Sequence, residues 1–220
     1  MMIPSELLPL WLSGPAFPLL AAIFVWQLLG APWQLLTINR LHHLLSLCVV
    51  LLAGLWWLRA GALPGLQFHL LGLTTMVLIF GWRLALVGGL AAMILTTALN
   101  GDWQAMAFNG LLGVVLPVFL ANWLHGVIYR LMPRHLFVYL LAAAHFSSML
   151  VIGAVIVTGG LLMVLLDVYP MGTVAREYLV FLPLVLIPEG FLNGAIMTTL
   201  ILLRPEWVRS FDDRDYLIGK

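Results

Sequence analysis

Charge is what this chain has least of. Only 9% of its 220 residues are Asp, Glu, Lys or Arg, while 63% are hydrophobic, and the mean hydropathy is +1.09. A soluble domain carries roughly 25% charged residues, so the composition excludes one and selects the lipid bilayer as solvent. Cysteine is almost absent as well. The single Cys48 excludes an internal disulfide and a thiolate metal cage, and in its apolar run it reads as a small hydrophobe. No Gly-rich phosphate loop is present, so any ATP that drives this protein must be hydrolysed on other chains. There is no low-complexity linker, no internal repeat, and no basic footprint for nucleic acid in a formal net charge of +1. Finally, the opening MMIPSELLPLWLSGPAF has no Lys or Arg before its apolar stretch. A secretory signal peptide needs one, so these residues are expected to be retained and used.

What is present is a series of apolar runs broken by charge, Pro and Gly. They predict an all-α, polytopic membrane protein with about seven transmembrane helices of ~20–25 residues. The spans read as 14–36, 41–58, 67–80, 84–99, 107–131, 136–166 and 178–203. Residues 1–203 form one transmembrane domain, with 1–13 an outer segment able to fold into the bundle, and 204–220 a cytoplasmic tail. The third and fourth runs are short, giving only ~21–24 Å against a ~30 Å core, so they are expected as a hairpin buried among longer neighbours. The positive-inside rule sets the orientation. With the N-terminus outside and the C-terminus inside, Arg40, Arg83, Arg130, Arg134, Arg204, Arg209, Arg214 and Lys220 fall inside, leaving Arg59 and Arg176 outside. Trp33, Trp56, Trp57, Trp82, Trp103 and Trp207 lie near span ends and read as an interfacial belt.

This topology sorts the polar residues by depth. His69, three residues into the third run, lies ~5 Å below the outer surface. Asn100 and Asp102 are in the next outer loop, Asn109 is in the first turn of the fifth span, and the N-terminal segment is on the same side. An amine, two thioethers, an imidazole, amides and a carboxylate can therefore share one face. The plainer alternative is that His69 is a structural hydrogen bonder and NGDW an ordinary turn. His125 and His145, at ~9 and ~14 Å from the inner face, are either hydrogen-bonded core residues or axial ligands of a haem. Glu189, mid-span in LIPEGFLNG, is costly in a bilayer unless paired. It is either part of a substrate path or a hydrogen bonder to a neighbouring helix, with Arg83 expected to snorkel to the inner interface rather than reach it.

The start Met-x-Ile-Pro, the stretch HLLGLTTMVLIFGWRLALVGGLAAMILTTALNGDWQAMAFNGLL and the late PEGFLNGAIMTTLILLRPEWV resemble the CbiM/NikM substrate-binding membrane components of energy-coupling-factor (ECF) cobalt and nickel ABC transporters. The resemblance spans most of the chain and is most specific from His69 to Asn109. It implies seven spans with the N-terminus outside, in agreement with the charge count. It also implies a metal held by the N-terminal amine, the next backbone nitrogen, the side chain of a His in second position and the HLLG histidine. Here position two is Met2, and Ser5-Glu6-Leu7 replaces the usual Asp-Gly-Phe. Carried over, the metal ligands are Met1, Met2 and His69, with Asn109, Asp102 and Glu189 as supporting or substrate-path residues. Amine, amide nitrogen and imidazole suit Ni(II) or Co(II), and two thioethers with an imidazole suit a softer ion such as Cu(I).

The expected function is substrate capture for an ECF-type importer in the bacterial inner membrane. The metal cation is cargo, there is no permanent cofactor and no catalytic residue, and a transmembrane coupling protein and ATPase subunits are partners. A membrane haem protein, and a non-transporting sensor or scaffold derived from such transporters, are the alternatives.

Overall fold

The computed structural model describes residues 2–61 and 63–216, apart from the side chains of 38–40. Its helices are α1 (Leu10–Gly30), α2 (Leu41–Trp57), α3 (Leu73–Phe80), α4 (Trp82–Asn100), α5 (Trp103–Leu131), α6 (Leu136–Leu165), α7 (Met171–Glu177), α8 (Leu182–Leu203) and α9 (Asp213–Tyr216). Helices α5 and α6 each contain wider π-type winding, at Leu111–Val115 and Tyr139–Phe146. Among the described residues, five helical stretches are long and apolar enough to cross a membrane: α1, α4, α5, α6 and Met171–Leu203, the last broken near Tyr178. α2 is apolar but shorter. Large apolar side chains such as Leu29, Leu165, Phe191 and Leu202 point outward, as expected where the surroundings are lipid rather than water.

The third run departs from the sequence expectation. Residues 66–72 form a non-helical arm, and only Leu73–Phe80 is helical. His69 therefore sits in non-helical backbone, not three residues into a helix. Two features stop a helix from starting sooner. Gly72 adopts φ +67, a left-handed conformation that only glycine takes at low cost. The arm's backbone groups also bond elsewhere: Phe68 and Ala60 exchange two bonds (2.7 and 3.0 Å), and the Leu71 carbonyl accepts from Trp56 Nε1 (3.1 Å). Non-helical backbone at this depth needs such partners.

Helix α3 is the axis of the molecule. All eight residues are buried, and it packs against α4, α5, α6 and α8. An eight-residue helix is far too short to be stable by propensity, so its ends must be held, and they are. At its C-terminal end, Arg209 N and Ser210 N donate to the Ile79 and Leu78 carbonyls (3.0 and 3.1 Å), and Ser210 Oγ donates to Leu78 O (2.7 Å). Residues beyond α8 thus pack onto the bundle, with Val208, Phe211 and Tyr216 buried, rather than trailing from it. Helix α4 begins at Trp82, two residues before the sequence boundary, and its 19 residues make it a full-length helix.

Candidate metal site

The arm carrying His69 is fixed from three sides. Trp56 is fully buried, braces Leu71 as described, and lies 5.9 Å ring to ring from His69. It is a core residue, not part of an interfacial belt. From α8, Glu189 accepts from Leu71 N (2.7 Å, Oε2) and Gly72 N (2.9 Å, Oε1). Asn193, one turn on, donates to Glu189 Oε1 (2.9 Å) and accepts from Thr75 N and Oγ1 (2.9 and 2.7 Å). Together the two side chains take up donors at the start of α3, where backbone N–H groups have no helical acceptor and the helix dipole favours negative charge. Glu189 is therefore a hydrogen bonder to a neighbouring element, and Arg83 is not among its hydrogen-bond partners.

His69 is 8% exposed, and its Nδ1 lies 3.1 Å from the Leu70 carbonyl. A carbonyl only accepts, so in this contact Nδ1 is the donor. The ring also lines a cleft of about 540 Å³ between the end of α2 and α8, with Trp57, Arg59, Phe68, Leu184 and Pro188. Arg59 donates Nε to Trp56 O (3.0 Å), and burial lowers its pKa from the ordinary value.

The N-terminal segment folds into the bundle. Asn109 clasps Ile3 from both sides: Ile3 N donates to Oδ1 (2.8 Å), and Nδ2 donates to Ile3 O (2.9 Å). Asp102 accepts from Ser5 N (2.8 Å) and caps α5 through Ala105 N (3.4 Å). Ile3 is fully buried and Met2 nearly so. The segment also touches the loop that leads into the arm, since a Cβ at Gly65 would meet Leu7 Cδ1 at 3.1 Å and Pro4 Cδ at 3.7 Å. Asn109 lies in the second turn of α5, which starts earlier than the sequence suggested, and Asn100 ends α4. Met1 lies outside the described residues. Among those described, no three of His, Cys, Asp and Glu gather closely enough to hold a metal ion.

His125 and His145 have different surroundings. His125 lines a cavity beside Arg83 and Arg209, whereas His145 packs over Gly190 and Gly194 of α8. Sequence reasoning missed Asn193, Thr75, Trp56 and the Arg209–Ser210 contact with α3. Only Asn193 left a signal, four residues after Glu189 and so on the same helix face.

Comparison with known proteins adds the family. No curated protein sequence matches the chain. A crystal structure described as that of a truncated transition metal transporter has the same fold, with a TM-score of 0.65 at 17% identity over 92% of this chain and 99% of that one. The model of the CbiM family, described as the cobalt uptake substrate-specific transmembrane region, matches residues 3–207. The protein belongs to the CbiM family of cobalt uptake transmembrane components.

Proposed function

We propose that this protein is the substrate-capture component of an ECF-type importer, taking up a transition-metal cation of the cobalt–nickel class. The observation that carries this reading is the clasp of Asn109 on both backbone groups of Ile3. It fixes the chain directly after Met2, on a segment that packs against the loop leading to His69. With Ile3 held in this way, the donors in this reading are the Met1 amine, the Met2 nitrogen and His69 Nε2. Asn109 and Asp102 hold the segment, and Glu189 holds the arm. Met2 supplies a thioether in place of an imidazole and extends the range toward softer ions such as Cu(I).

The chain crosses the bacterial inner membrane seven times, the arm and α3 together making the third crossing. The N-terminus is outside in this reading, which the Arg and Lys distribution supports. Cargo enters from outside and is released inward when a coupling protein and ATPase subunits engage the bundle; this chain itself is no enzyme. The test is uptake of radiolabelled cobalt and nickel by cells lacking other routes, with the partner subunits co-expressed. Uptake that requires both the ATPases and His69 is expected. Uptake unaffected by His69→Ala would contradict the assignment.

A further inference from the structure

A second polar site lies at the other end of α3 from His69. Gly30, Pro32, Gly81, Arg83, Asn122, His125, Arg209 and Ser210 are among the residues lining a cavity of about 390 Å³. Two arginines line it, each lying against a glycine: Arg83 against Gly30, and Arg209, whose Nη1 also donates to Phe80 O (3.5 Å), 3.0 Å from where a Cβ of Gly81 would be. No carboxylate lines the cavity. Among the described residues the ion pairs are Arg134–Asp215 and Arg204–Glu206, and neither includes these two arginines. His125 Nδ1 is buried with no hydrogen-bond partner, and Asn122 adds an amide. Two forked cations, an imidazole and an amide around an unfilled space match the oxygens of a phosphate group.

The rim indicates where that phosphate comes from. Arg83 lies 5.9 and 5.1 Å from the ring centroids of Trp26 and Trp82, and Trp82 in turn packs on Phe119 (5.4 Å). Trp26 is 52% exposed, Leu29 84% and Phe119 36%, on the outer surface of α1 and α5. A soluble phosphate has no use for an apolar, lipid-facing rim, whereas acyl chains would cover it. Basic pockets between helices at the positive face of a membrane protein are sites for anionic headgroups. We propose that this cavity binds the phosphate of an anionic phospholipid, with Arg83 and Arg209 as its principal ligands and the acyl chains lying along Trp26, Leu29 and Phe119. The site is independent of the metal reading.

The test is native mass spectrometry of the full chain, delipidated in detergent and supplied with phosphatidylglycerol or phosphatidylcholine of matched acyl chains. Retention of phosphatidylglycerol about tenfold over phosphatidylcholine is expected, because both lipids offer a phosphate but the choline cation would lie beside the two guanidinium groups and offset the charge-assisted contacts. Arg83→Gln should abolish the preference, Arg83→Lys should keep part of it, and Arg134→Gln, at an exposed ion pair, should leave it unchanged. Arg83 caps no helix, so its loss should leave the fold intact, which a thermal melt of the variant checks. Equal retention of the two lipids, or a preference that survives Arg83→Gln, would overturn the proposal. So would displacement of the lipid by millimolar inorganic phosphate together with a phosphate-induced thermal shift that Arg83→Gln removes, since that pair marks a soluble-anion site.

Discussion

Replacing Glu189 tests the architecture where it is most concentrated. Its carboxylate takes up three N–H donors, from Leu71, Gly72 and Asn193, all in a region closed to water. In Glu189→Gln, one oxygen still accepts, but the amide nitrogen faces a backbone N–H and leaves a buried donor unmet. That costs about 1–3 kcal/mol. At roughly 2–4 °C per kcal/mol for a chain of this size, the midpoint of thermal unfolding should fall by about 2–12 °C. Glu189→Ala leaves all the donors unmet and should fall further, into the range where single substitutions compromise folding. The assay is a fluorescence melt of detergent-solubilised wild type, Glu189→Gln and Asn193→Ala. Hydrogen exchange at Leu71 and Gly72 reports whether the loss is local. The two substitutions should be non-additive, because the side chains share a hydrogen bond. A Gln variant that melts within a degree of wild type, with unchanged protection at Leu71 and Gly72, would refute the reasoning.

Three further outcomes follow from the same geometry. Asn109→Ala removes two bonds to Ile3, and at about 0.5–1.5 kcal/mol each exchange of the Ile3 amide should accelerate roughly 5- to 150-fold. Asp102→Ala, which removes one bond from Ser5, should give a smaller effect, and equal effects would contradict the clasp as the main anchor. Gly72→Ala forces an L side chain to φ +67 and sets a Cβ 2.9 Å from Leu52 Cδ2. At about 1–2 kcal/mol for the backbone alone, its melt should fall by at least ~2 °C. Ser210→Ala, at the far end of α3, loses the bond to Leu78 O and the 2.6 Å contact with Tyr139 Oη. It should destabilise by about 1–2 kcal/mol, and an unchanged melt would show that the Ser210 hydroxyl adds nothing to the backbone bonds that hold α3.

Much of this fold is legible in composition and periodicity, because a bilayer demands long apolar helices and the chain has few other resources. The runs that became α2, α5, α6 and α8 could be read within about four residues, whereas α1 covers Leu10–Gly30 rather than 14–36, because the chain breaks at Ala31–Pro32 before a separate 3-10 stretch at Trp33–Arg40. The region of His69 could not. HLLGLTTMVLIF is mostly apolar, and periodicity does not separate a buried helix from a buried irregular arm when every side of the backbone is covered. What decides the matter is tertiary: Glu189, Trp56 and Ala60 supply the bonds that let residues 66–72 stay out of the helix, and none of them lies within the arm itself. Trp56 misleads for a related reason, since a Trp near a helix end reads as interfacial until its indole is seen bonding Leu71. Glu189 announced itself by its cost in lipid, and the i, i+4 spacing to Asn193 was there to be used. The grouping of the N-terminal segment with Asp102 and Asn109 was legible from topology, but the clasp on Ile3 involves backbone groups, which every residue carries alike.

The central claim is that the N-terminus and His69 capture a metal cation together, and titration of the purified protein with its native, untagged N-terminus tests it most directly. Ni(II), Co(II) and Cu(I) would be added in turn to wild type, to His69→Ala and to a form extended by one N-terminal residue. The account predicts selective one-to-one binding of one of these ions, lost in both altered forms, with preference for Cu(I) if the Met2 thioether sets the selectivity. No binding of any of the three ions, or binding indifferent to His69 and to the N-terminal extension, would contradict it.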